Sequence, residues 1–88
     1  MPKVNVPKVV NTRTDINGGK PVIVVFFEDG ATADEGVISV IRTDLRSRFA
    51  WRFIGVYLGV NDQQIEVQDL PEDTTPEVVA AYIKETYG

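Results

Sequence analysis

Residues 42–53, Arg-Thr-Asp-Leu-Arg-Ser-Arg-Phe-Ala-Trp-Arg-Phe, hold four of the chain's nine basic residues and three of its aromatics. An arginine presents a planar fork of five N–H donors that fits carboxylate or phosphate oxygens in pairs. Arg42 and Arg46 stand one helical turn apart, and Arg48 and Arg52 follow closely. As one cationic surface, these four would suit an acidic protein or a nucleic-acid backbone. The interleaved Phe49, Trp51 and Phe53 also read as the core side of an amphipathic strand, with arginines left on the wet side.

Elsewhere the chain offers little for catalysis. It has no histidine and no cysteine, which removes the usual general base near neutral pH, the thiolate nucleophile and the commonest transition-metal ligands. The remaining Asp, Glu, Lys and Tyr residues form no recognisable acid–base pair. Glu28, Asp29, Asp34 and Glu35 lack the spacing of a calcium-binding loop, and turn and cap chemistry accounts for them. Gly18-Gly19-Lys20 lacks the spacing of a phosphate-binding loop. The sequence therefore reads as a protein that is not an enzyme and carries no cofactor or metal.

The charge pattern narrows the partner. The net charge is −4 over 88 residues, but its sign alternates: +3 over residues 1–27, −4 over 28–35, +3 over 42–52 and −6 over 53–88. A domain that binds phosphates nonspecifically is usually basic as a whole. RNA-binding sheets, moreover, stack bases on exposed aromatics, whereas here the alternation sends the aromatics away from Arg48 and Arg52. An acidic protein surface is the better match, with nucleic acid second.

Periodicity places the supporting elements. Residues 8–16 alternate as a strand, Asn17-Gly18-Gly19 marks a tight turn, and Val22 to Phe27 form a wholly apolar strand, so the pair reads as a hairpin. Thr32-Ala33-Asp34-Glu35 has the form of a capping box, with Thr32 as the cap. A helix then places Val37, Ile38, Ile41 and Leu45 on one face and ends near Arg46. Residues 49–58 return to period two, with Phe49, Trp51, Phe53, Gly55 and Tyr57 on the core side. Residues 64–68 alternate with one wet face and read as an edge strand. Thr75-Pro76 opens a last helix, with Val78, Val79, Tyr82 and Ile83 as its buried stripe.

The fold class is thus α+β: one domain over residues 1–88, in ββαββα order, with a four-stranded, mainly antiparallel sheet and two helices. The strands at 22–27 and 49–58 are apolar on both sides, and two apolar faces need two covers. Either the last helix crosses the sheet, or a partner chain covers the second face around Ile54, Val56 and Leu58, giving a homodimer or an obligate complex. No apolar run is long enough to span a membrane, and residues 1–10 lack the apolar core of a signal peptide, so a soluble, cytoplasmic protein is expected. The functional reading is a small non-enzymatic regulator, inhibitor or adaptor that binds a protein partner through Arg42, Arg46, Arg48 and Arg52. A nucleic-acid binder using the same arginines and a self-assembling structural subunit are the alternatives.

Overall fold

A computed structural model describes residues 6–49, 54–59, 61, 63–70 and 72–88. Asn17 and Lys20 face each other across Gly18 and Gly19, whose φ angles of 61° and 81° lie in the left-handed region that glycine enters without steric cost. Two successive positive φ angles match the right-handed twist of the flanking strands. The turn closes a hairpin of β1 (Val9–Asn17) and β2 (Lys20–Phe27). Val10 has no partner in β2, because the register shifts between Val9 and Asn11.

The helix α1 (Glu35–Arg48) follows. Its cap is Asp34 rather than the expected Thr32: Asp34 Oδ1 accepts the Val37 N–H at 3.0 Å. Asp34 has the extended backbone of a cap, and its carboxylate carries the charge that a helix N-terminus favours. The helix also runs past Arg46, since the Phe49 N–H still reaches the Leu45 carbonyl at 2.9 Å. Phe49 is therefore the C-cap and not the first residue of a strand.

Chain order continues with β3 (Gly55–Leu58), β4 (Gln64–Gln68) and α2 (Pro76–Tyr87). The strands form one open antiparallel sheet in the order β1-β2-β4-β3. The expected class, α+β in ββαββα order, is the one observed. β2 and β3 run in the same direction, joined through α1, with β4 inserted between them. β4 is thus interior, not the expected edge. Its alternation of Ile65 and Val67 with Gln64, Glu66 and Gln68 reports one wet face, and a wet face belongs equally to central and edge strands.

One side of the sheet is dry. Ile23, Val25 and Phe27 of β2, Ile65 and Val67 of β4 and Val56 of β3 pack with Val37, Ile38, Ile41 and Leu45 of α1 and with Val79 and Ile83 of α2. Both helices lie on this side, so α2 does not cross the sheet. Thr75 precedes α2 as expected but makes no side-chain cap bond, and Val78, expected in the buried stripe, is 52% exposed.

Two expected interface residues belong to this core. Ile54 and Val56 are buried under the helices, while Leu58, opposite Ile65, is half exposed at the sheet margin. The reason is register. Val56 pairs with Val67 and Leu58 with Ile65, which turns Tyr57 to the other side, one residue out of phase with the expected assignment. Trp51 and Phe53, expected in the core, lie outside the described residues.

The cap assignment is testable by urea denaturation. Asp34→Ala should lower stability by about 1 kcal/mol, and Thr32→Ala should leave the midpoint nearly unchanged. Equal losses from both variants would restore the capping box.

Candidate functional site

Arg42, Arg46 and Arg48, all on α1, do not share one face of the helix. Arg42 and Arg46 share a flank of α1, and Arg46 Nε donates to the Ile54 carbonyl at 3.3 Å, tying the helix to the segment entering β3. Arg48 follows Arg46 by two residues, so it projects roughly 200° away around the helix axis. Its guanidinium lies 5.4 Å from the centre of the Phe49 ring and 5.5 Å from that of Tyr82, within the range of cation–π attraction. Phe49 and Tyr82 meet edge to face at 5.8 Å. Both Arg46 and Arg48 occupy the last turn of α1, where the partial negative charge of the helix terminus favours cations. Arg52 lies outside the described residues.

Beside Arg48, one carboxylate holds the two helices together. Asp44 accepts the Tyr82 hydroxyl at 2.8 Å on Oδ1 and the Tyr87 hydroxyl at 2.5 Å on Oδ2. With each oxygen accepting from a phenol, the carboxylate acts as a clasp between α1 and α2. The Tyr82 hydroxyl is pushed above its ordinary value by that hydrogen bond first and by burial second. Tyr87 is pushed up more strongly, by burial first and then by its bond to Asp44.

The helix-free side of the sheet carries Val22, Val24 and Phe26 on β2, flanked by Arg13 and Asp15 of β1 and by Gln64 and Glu66 of β4. Val22 and Val24 remain only 5% and 6% exposed within the single chain. Long polar neighbours shield them: the Arg13 guanidinium sits 5.5 Å from the centre of the Phe26 ring and pairs with Asp15 at 2.9 Å. The resulting depression, about 230 Å³, is partly open to solvent. Among the described residues this face is therefore not the broad apolar patch that the argument for a homodimer through Ile54, Val56 and Leu58 required.

The outer edge of β1 was not anticipated. A β-turn joins the Asn17 carbonyl to the Lys20 N–H, making Asn17/Lys20 a hydrogen-bonded pair. Such pairs alternate along an antiparallel ladder, so Asp15, Arg13 and Asn11 bond inward to Val22, Val24 and Phe26. Pro21, which has no N–H, falls opposite Ile16 at a non-bonded position, in keeping with this phase. The backbone groups of Thr12, Thr14 and Ile16 consequently point away from β2, where no described strand meets them. Ile16 is 70% exposed, more than any other large apolar side chain described.

Among the described residues, no group of three acidic side chains could hold a metal ion, and no helix is long and apolar enough to cross a membrane. No protein-family model, curated protein or solved structure matches the chain.

The clasp makes stability depend on alkaline pH. Both phenols hold their protons more tightly when folded than at the ordinary value of 10.0. Above that pH the unfolded chain binds fewer protons than the native one, so stability falls as pH rises, while below it the contribution is fully present. The melting temperature should hold up to about pH 9 and drop beyond pH 10. Tyr82→Phe combined with Tyr87→Phe should lower the plateau and flatten the drop; an unchanged alkaline slope would remove the clasp as its source.

Proposed function

We propose that the chain is a non-enzymatic interaction module, a small regulator, inhibitor or adaptor, that takes a protein partner by strand addition along β1. The observation that carries this reading is the outward ladder of Thr12, Thr14 and Ile16 on a nine-residue edge strand. An added strand gains main-chain hydrogen bonds from such an edge, and its alternate side chains read the neighbouring surface. Edges that must stay unpaired are commonly short, kinked, or marked with proline or lysine. β3 is only four residues long, whereas β1 from Asn11 to Asn17 is regular and contains neither proline nor lysine.

The arginine route has less support. Arg46 is bonded to a main-chain carbonyl and Arg48 is stacked on two rings, so both have work within the fold. Nucleic acid is further disfavoured by the acidic balance of the chain.

Selection from a displayed library of extended peptides tests strand addition. Recovered binders should slow hydrogen exchange at the Thr12, Thr14 and Ile16 amides. Thr14→Pro should abolish their binding while leaving the inward ladder intact, because only an outward N–H is lost. Binders that protect α1 instead, or that tolerate Thr14→Pro, would overturn the reading.

A further inference from the structure

We infer that the strand added to β1 is β1 of a second copy, antiparallel about a two-fold axis at Thr14. The inference rests on the strand-addition reading and names its occupant. Two constraints fix the register. Hydrogen-bonded pairs across the new seam must join outward residues, so the numbers of facing residues add to an even total. Facing side chains then share a side of the sheet, which puts all four helices on one side of a continuous eight-stranded sheet.

Charge selects among the remaining registers. With the axis at Thr14, Arg13 faces Asp15 of the second copy and Asp15 faces its Arg13. Thr14 meets Thr14, Thr12 meets Ile16, and Asn11 meets Asn17. An axis at Arg13 would set arginine against arginine, and one at Asp15 would set aspartate against aspartate. Axes at Thr12 or Ile16 would leave both charges opposite uncharged residues. Only the Thr14 register is complementary in both directions.

The local geometry suits it. Arg13 and Asp15 already pair along their own strand at 2.9 Å and remain 60% and 45% exposed, on the side of the sheet that carries no helix. Pairing two copies would place each guanidinium between its own carboxylate and that of its neighbour, an alternating ring of four charges. Exposed ion pairs contribute little affinity, so the ring selects the register while main-chain bonds hold the seam. Those bonds come from Thr12 with Ile16, Thr14 with Thr14, and Ile16 with Thr12, each pair exchanging two. The seam also brings Ile16 against Thr12 of the second copy. The overlap from Asn11 to Asn17 stops short of the unpaired Val10.

Sedimentation equilibrium on the full chain, from micromolar to millimolar concentration, tests the inference with two charge variants. The unmodified chain should form dimers. Arg13→Asp alone and Asp15→Arg alone each set like charges across the seam and should weaken association roughly tenfold or more. Mixed in equal amounts, the two variants should recover association, because the acidic edge of one faces the basic edge of the other. Circular dichroism of each variant confirms that it is folded. A chain that stays monomeric throughout overturns the second copy as occupant, while strand addition is judged separately by the peptide experiment. Dimers that persist unweakened in both variants, or a mixture that fails to recover, overturn the Thr14 register.

Discussion

The pairing of β4 with β2 is the constraint on which the arrangement depends. Ile23 opposite Val67 and Val25 opposite Ile65 set four β-branched side chains at the centre of the dry face, each fully buried. Cross-strand contacts of this kind are the main source of side-chain stabilisation within a sheet. Because β4 occupies one side of β2 and the hairpin partner occupies the other, β2 is enclosed on both edges and β1 is left outermost. The same pairing carries β3 to the far margin, beneath α1, and leaves α2 to cover β1 and β2.

Local signals were legible wherever a few neighbouring residues decide the outcome. Asn17-Gly18-Gly19 announces the hairpin because consecutive left-handed φ angles need glycine. The spacing of Val37, Ile38, Ile41 and Leu45 announces α1, and all four are buried as that spacing requires. The six-strong apolar run of β2 announces burial on two sides, which Val22 and Val24 fulfil under polar neighbours rather than under a helix.

What escaped the sequence is non-local. Period-two patterning in residues 55–58 gives two candidate faces, and only the pairings of Val56 with Val67 and Leu58 with Ile65 decide between them. The wet face of β4 does not reveal how many neighbours the strand has. The placement of the arginines is non-local in a related way: Arg46 and Arg48 are close in sequence, but both lie in α1, and a helix throws residues two apart to opposite sides. The β1 edge had a local sign in Thr12, Thr14 and Ile16, yet its exposure follows from where β4 inserts, some fifty residues further along.

The short β3 strand decides how far assembly can go. A chain with two long, regular edges can recruit neighbours on both sides and grow into an open ribbon, the geometry of fibres. The isologous seam proposed at β1 would use the same edge of both copies, leaving the two β3 strands at the outer margins of the described sheet. Each offers four residues, Gly55 to Leu58, and its glycine presents no side chain to a newcomer. Self-association through the proposed seam would thereby be closed by symmetry at two subunits, with the extended sheet capped against polymerisation.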